Sequence, residues 1–440
     1  MLLGKDGIKF LMSQNESDGA LERFVVLFNR YELDAGLFEC CVDARGFAWW
    51  DVARYSVQMA LCVERGIIGG SQAARRSTLS RATGAIRQCG AMVVDLIRLG
   101  AIGLSSIDAV FVYGREVDSL RTDLASTIGR RLIVSNVDGG GRAGDIRVAK
   151  RSIDLFVRLS SRAIRVPTSV TEQADRIAAG IKVLFDSRVD IRALILDRYR
   201  RHLAARTLWV RVLARAKDAV LVGYVNDDTL KTLVSLASAK GISTREYQHG
   251  YMGRSHVAFS YPSLGSRLPT IPDEVVIEFD SGDIVYPTAI VLAAPAELAA
   301  SATGARDIDV LVGGSPTRNA DALAIVAILV DRGLSLAVKL HPAQTAEASG
   351  LRPRFESSRV MVFTGSVDFR ALAARSKIYV PANPTSTTSF EAAALGARVV
   401  AVDYEGIKLT SAIDHVVAAR VDAIEQLPAV IAAMLARDFT

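Results

Sequence analysis

Apolar positions along this chain fall into short β-branched runs alternating with stretches of helical period, and the alternation occurs once in each half. In the first half, Phe24–Phe28 reads as an opening strand. Residues Phe47–Glu64 read as a helix with Trp50, Val57 and Leu61 on one face. Asp108–Gly114 predicts a strand, followed by a helix through Ser126 and a strand over Arg131–Ser135. Residues 147–217 read as mostly helical. They are followed by a strand at Ala219–Tyr224, a helix over Asp227–Lys240 and a strand at Ser243–Tyr247. In the second half the strands are Val275–Ile277, Ile308–Val312, Leu336–Leu340, Val360–Phe363, Lys377–Val380 and Arg398–Val402, with helices at Ala320–Asp331 and Asp368–Ala374. Continuous apolar strands separated by helices belong to parallel sheets covered on both faces. The pattern therefore predicts an α/β protein of two Rossmann-like parallel-sheet domains facing a cleft. The Pro-rich stretch Tyr261–Pro272 reads as the linker, which divides the chain into domains 1–262 and 273–440.

Composition narrows this without redirecting it. Half of the 440 residues are apolar and 23% are charged, which marks a globular chain. The net charge of +6 comes from dispersed basic residues not interleaved with aromatics, so no nucleic-acid partner is expected. Cys40, Cys41, Cys62 and Cys89 fit no metal spacing and read as free thiols of a cytoplasmic protein. No apolar run approaches the ~18 residues of a membrane span, and no secretory signature opens the sequence. Arg188–Lys217 holds eight arginines and one lysine beside Ile191, Leu194, Ile195, Leu203 and Val210. Such a helix reads either as a solvated basic surface or as a peripheral contact with the inner membrane. Residues 69–89 are polar and Arg-rich, as a loop or an exposed helix would be.

Two literal motifs carry little. Gly139-Gly-Gly-Arg-Ala-Gly144 matches the dinucleotide fingerprint G-x-G-x-x-G, but a second strand closed by an acidic residue does not follow; a flexible glycine loop is the expectation. Asp307-Ile-Asp309 spells D-x-D and leads into a buried strand, where it is expected to ligate nothing.

The informative chemistry sits at strand ends, where open parallel sheets bind ligands. Ser376–Val402 reads as strand, turn, helix and strand. Asn383-Pro384 precede the hydroxyl residues Thr385, Ser386, Thr387, Thr388 and Ser389, and Gly396 stops the helix. Five hydroxyls at a helix start suit an anion, and a phosphate best. Gly313-Gly314-Ser315-Pro316 ends another strand with room for close backbone approach. Lys339-Leu340-His341-Pro342 ends a third, where His341 can donate to phosphate or base and Lys339 can supply a cation. In the first half, Tyr247 leads into Gln248-His249-Gly250, with Arg254 and His256 just beyond. Two of the five histidines, His249 and His341, thus fall at strand ends.

In this order, Tyr247–Gly250, Lys339–Pro342 and Asn383–Ser389 with Glu391 resemble the GT-B glycosyltransferases of bacterial capsule, O-antigen and lipopolysaccharide assembly. The groups with a His-Pro and a Ser-Ser/Thr motif, including sialyltransferases and Kdo transferases that use CMP-activated sugars, look most similar. The resemblance covers roughly residues 219–405. It implies that His341 contacts the nucleotide, that the hydroxyl group holds its phosphate, and that Glu391 suits a ribose hydroxyl. The acidic-acidic-Gly motif of the sialyltransferases has only a partial counterpart in Asp43-Ala-Arg-Gly46. Transfer also needs a base, for which the candidates are His249 first, then Asp51, Asp43 and Glu116. The implied partners are a nucleotide-sugar and a glycan or lipid-linked acceptor, with neither metal nor cofactor. A nucleotide-sugar epimerase, a non-catalytic nucleotide-sugar-binding scaffold protein and a dinucleotide oxidoreductase remain the alternatives.

Overall fold

The computed structural model describes residues 20–43, 46–67, 90–100, 106–113, 118–135, 144–223, 225, 227–248, 257–264, 266–277, 290–293, 305–315, 319–340, 360–364, 367–384, 386, 388–403 and 414–436. Two parallel sheets organise them. The first holds β1 (Ile107–Tyr113), β2 (Arg131–Ser135), β3 (Ile146–Val148), β4 (Ala216–Val222), β5 (Ser243–Tyr247), β6 (Glu274–Ile277) and β7 (Ile290–Ala293), in the order β3-β2-β1-β4-β5-β6-β7. The second holds β8 (Ile308–Gly313), β9 (Leu336–Lys339), β10 (Val360–Phe363), β11 (Ser376–Pro381), β12 (Arg398–Val402) and β13 (Val417–Val421), ordered β10-β9-β8-β11-β12-β13. Counted within each sheet, the second is ordered 3-2-1-4-5-6, the doubly wound Rossmann order, and the first has the same order with a seventh strand added beyond the sixth. Each sheet reverses its winding beside its own first strand, between β1 and β4 and between β8 and β11. The expected GT-B architecture of two Rossmann-like units is present.

Side-chain alternation explains why both faces are covered. On β1, Val110 and Val112 pack into one core, while Ala109, Phe111 and Tyr113 pack into another on the opposite face. On β11, Ile378 and Val380 face one core and Tyr379 the other. A strand apolar at every position satisfies two helical layers at once.

The first unit carries an additional helical assembly. Helices α1 (Ala20–Asp34), α2 (Leu37–Cys40) and α3 (Trp50–Glu64) share a core with α6 (Thr168–Phe185), the start of α7 (Ile191–Leu213) and residues 257–271. Further helices here are α4 (Asp118–Ser126), α5 (Lys150–Ser161) and α8 (Asp228–Ser238), and residues 90–100 are helical as well. Trp50 stacks on Phe28 with centroids 6.3 Å apart, and Phe24 meets Phe185 at 5.4 Å. Helix α7 begins in that core through Ile195 and Tyr199 and ends on the sheet through Trp209 and Val212.

Several expectations are corrected here. Phe24–Phe28 is helical, inside α1, with Phe24, Val25 and Phe28 buried and Val26 exposed. Five apolar residues do not separate strand from helix, and aromatic packing against α3 and α6 decides it. The domain boundary at 262/273 is displaced, because β6 pairs with β5 and β7 with β6 in the first sheet. The supposed linker is core: Tyr261, Leu268 and Ile271 are buried in the helical assembly, so its prolines punctuate an ordered segment. A short strand, β3, begins two residues after Gly144, where a dinucleotide fingerprint requires a helix; the run Gly139–Arg142 itself lies outside the described residues. Within residues 188–217 the apolar side turns mainly into the protein, with Ile191, Ile195, Leu208 and Val212 buried and Val210 exposed. The charges there pair locally, as in Arg192–Asp175 and Arg198–Asp228. Among the described residues no helix is long and apolar enough to cross a membrane. Cys40, Cys41 and Cys62 are free thiols, while Cys89 and residues 69–89 lie outside the described residues.

In the second unit the helices are α9 (Asn319–Leu329), α10 (Phe369–Ala374), α11 (Thr388–Ala394) and α12 (Leu427–Ala436). Gly396 ends α11 with φ +81°, its N–H donating to Ala393 and the Ala397 N–H to Ala392 at 2.9 Å. That left-handed stop fits glycine, and a Cβ there would also meet the Arg306 guanidinium at 2.3 Å. Gly396→Ala is expected to lose about 1–2 kcal/mol in urea unfolding.

The Asp273 carboxylate leads into β6 and accepts from the Thr244 N–H and hydroxyl, each at 2.8 Å. Burial pushes its carboxyl up, but these donors and the Arg267 guanidinium outweigh burial and hold it below the ordinary range. A depressed carboxyl stabilises the fold above the unfolded value of about 4 and loses that contribution as pH falls through the folded value. Asp273→Asn should therefore be about 1 kcal/mol less stable at pH 7, with the difference closing in unfolding curves taken below pH 4.

Candidate functional site

Three strand ends meet at the winding reversal of the second sheet. Gly313, the last residue of β8, pairs with Lys339 on one side and Pro381 on the other. The row is closed beyond the strands by Gly314 N–H donating to the Lys339 carbonyl at 2.8 Å and Ala382 N–H donating to the Gly313 carbonyl at 2.9 Å. Gly314, Ser315, Lys339, Asn383 and Ser386 thus leave one edge of the sheet together. This is the position where doubly wound sheets bind ligands.

The turn after β11 is internally bonded. Ser386 N–H donates to the Asn383 carbonyl at 2.9 Å, and Ser389 N–H donates to the Ser386 carbonyl at 3.1 Å. Above the strand the Tyr379 hydroxyl lies 2.5 Å from Thr388 Oγ1, which lies 2.7 Å from Ser386 Oγ. Tyr379 is buried, and burial pushes its phenol well above the ordinary range, so it remains a neutral hydroxyl. Phe369 packs edge-on against its ring at 5.3 Å. Gly313 matters here for space: a Cβ would stand 2.1 Å from the Tyr379 hydroxyl. Ser389 is buried, and its Oγ meets no hydrogen-bond partner among the described residues.

Other members of the motif are placed less openly. Ser315 and Lys339 are both buried, the Lys339 Nζ donating to the Leu340 carbonyl at 3.2 Å. Glu391 lies 3.7 Å from Arg370 Nε, which ties α11 to α10. Gln248 is buried directly after β5, its N–H donating to the Val276 carbonyl at 2.9 Å. His341, Pro342, Thr385, Thr387, His249, Gly250, Arg254, His256 and Glu116 lie outside the described residues.

Two of the four candidate bases are described, and both have structural positions. Asp43 closes a turn by accepting from the Phe47 N–H at 3.1 Å. Asp51 is fully buried and accepts from Lys231 at 2.9 Å, the Tyr261 hydroxyl at 3.0 Å and the Thr270 hydroxyl at 2.5 Å. Burial raises its carboxyl, yet the Lys231 ammonium, the Thr270 hydroxyl and the Arg54 charge outweigh it and hold the group below its ordinary value. A buried, low-pKa, saturated carboxylate is a poor proton acceptor. Beside it Glu32, also buried, accepts from Arg54 Nε at 2.7 Å and Trp50 Nε1 at 2.8 Å. This network joins α1, α3, α8 and residues 257–271. The D-x-D carboxylates are committed as well, Asp307 to Arg375 and Asp309 to Lys377.

Sequence reasoning missed Tyr379, and it read Gly313 as room for a ligand and not as room for the Tyr379 hydroxyl. The signal available was a polar-headed aromatic one residue before the end of a buried strand run, but only the fold shows its hydroxyl reaching Thr388.

No protein-family model and no curated protein matches the chain. Among solved structures, it is similar to UDP-GlcNAc 2-epimerase from Methanocaldococcus jannaschii, with 10% identity over 75% of this chain and 93% of that one, TM-score 0.41. It is also similar to UGT89C1 of Arabidopsis thaliana, with 10% identity over 76% and 91%, TM-score 0.40. A third is Anabaena Alr3699/HepE in complex with UDP, with 11% identity over 76% and 91%, TM-score 0.36.

Proposed function

We propose that this chain is a GT-B-type glycosyltransferase that moves a sugar from a nucleotide-activated donor to a growing surface glycan or lipid-linked acceptor. The observation that carries the reading is the single row Lys339–Gly313–Pro381, which brings a glycine turn and a chain of hydroxyls to the winding reversal of the second sheet. Glycines at Gly313 and Gly314 let backbone approach a ligand, and hydroxyl donors suit the phosphate oxygens of a leaving nucleotide. The order of the His341 and Ser386–Ser389 motifs adds CMP-linked sugars to the donors of interest.

In this scheme Ser386 stabilises the departing phosphate, with Thr387 and Thr388 beside it in the chain, and His341 and Glu391 hold the nucleoside. No step calls on a metal or a further cofactor. The base comes from the first unit. His249 is the assignment and Glu116 its reserve, Asp51 being withdrawn on its burial and ion pair. The reaction is assigned to the cytoplasm.

The test is a thermal-shift panel of CMP-, UDP-, GDP- and CDP-linked sugars followed by product analysis with and without glycan acceptors. A true donor stabilises the fold by about 2.7 kcal/mol at a hundredfold excess over its Kd. Sugar appearing on an acceptor supports transfer, whereas an altered sugar still joined to its nucleotide identifies an epimerase. A panel that shifts nothing removes the reading.

A further inference from the structure

Ser386 Oγ, Thr388 Oγ1 and the Tyr379 hydroxyl form a chain with Thr388 in the middle. Each hydroxyl owns one proton and can accept more than one. Thr388 can donate to only one neighbour and must accept from the other, so the chain has a direction. Tyr379 lies at the buried end, 1% exposed, and Ser386 at the half-buried end. A phenol is the stronger donor and the weaker acceptor of the pair. Its proton therefore runs to Thr388, the Thr388 proton to Ser386, and the Ser386 proton is left to point away from the chain. Gly313 is the other half of the device, since any side chain there would displace the phenol hydroxyl.

We infer that Tyr379 is a positioning residue: through Thr388 it sets the Ser386 hydroxyl as an outward donor for a phosphate oxygen of the bound nucleotide. This rests on the nucleotide-sugar reading above and adds a residue that touches no ligand. Hydrogen bonds passed along such a chain also strengthen one another, so the outward donor is better than a lone serine. Without the phenol, Thr388 has no fixed donor behind it. Ser386 is then free to turn inward and donate to Thr388.

Binding of UDP, GDP, CDP and CMP, each against its own nucleoside, separates this from a packing role. The variants Tyr379→Phe, Thr388→Val, Ser386→Ala and the double Tyr379→Phe/Ser386→Ala are compared by calorimetry. Tyr379→Phe keeps the ring against Phe369 and removes only the hydroxyl. The expected result is a loss of about tenfold in nucleotide affinity for Tyr379→Phe and for Thr388→Val, with nucleoside affinity unchanged. The double variant should bind no more weakly than Ser386→Ala alone, because both substitutions remove one donor. Nucleotide binding unaltered in Tyr379→Phe and Thr388→Val overturns the inference while leaving the functional reading standing. So does an equal loss for nucleoside and nucleotide, or losses that multiply in the double variant. A wild-type chain that binds none of the four nucleotides overturns both. Should Tyr379→Phe fail to fold, Thr388→Val decides the same question.

Discussion

Arg54→Met should cost about 3–5 kcal/mol of unfolding free energy in denaturant titration, the largest loss expected from any single substitution in this chain. Arg54 and Glu32 are 1% and 0% exposed, and the guanidinium donates to both carboxylate oxygens, at 2.7 and 3.0 Å. It also donates to the Asn29 side chain at 2.7 Å, the Ser260 carbonyl at 2.6 Å and the Val257 carbonyl at 3.3 Å. Without it, Glu32 keeps the Trp50 N–H and faces Asp51 nearby, with no cation of its own. Burial already pushes the Glu32 carboxyl above its ordinary range with Arg54 present, and its removal pushes it further. A raised carboxyl gives stability that is complete below the unfolded value of about 4.3 and is lost as pH rises through the folded one. The deficit of Arg54→Met should thus be smaller at pH 5 than at pH 8. Adding Glu32→Gln should recover part of it, since an amide oxygen still accepts from Trp50 without a buried charge. An exposed-pair result, under 1 kcal/mol and flat with pH, would contradict the geometry.

Ser386→Ala should lower kcat with the cognate donor by about 10²–10³, the range for losing one donor to a developing oxyanion. The size follows from what transfer demands. Charge on the leaving phosphate grows as the glycosidic bond breaks, so a donor fixed before the reaction stabilises the transition state more than the bound ground state. KM should change far less than kcat, and steady-state kinetics on the donor that passes the thermal-shift panel would show the split. A variant with unaltered kcat would remove Ser386 from the leaving-group site. Fold should be untouched, because the backbone bond from Ser386 N–H to the Asn383 carbonyl does not involve the side chain.

Much of the architecture was legible in the pattern of residues. Val360–Phe363 and Arg398–Val402 are strands at the residues their β-branched runs indicated, and Gly396 is the left-handed stop that its place after Leu395 suggested. The failures share a cause. Phe24–Phe28 and Tyr261–Pro272 were judged by local composition, whereas aromatic packing and membership of one core settled them. Asp51 stood near Arg54 in sequence, but its partner is Lys231, 180 positions away.

By itself the sequence determined the class: parallel sheets, two of them, with hydroxyls, glycines and a lysine at strand ends. Those are local properties, set by side-chain period and by which residues can begin or stop a helix. Only the tertiary structure decided which strand ends share a row, which carboxylates are buried in ion pairs, and that a tyrosine stands behind the serine. Each of these depends on register and burial between segments far apart in the chain, and no short window of residues contains that information.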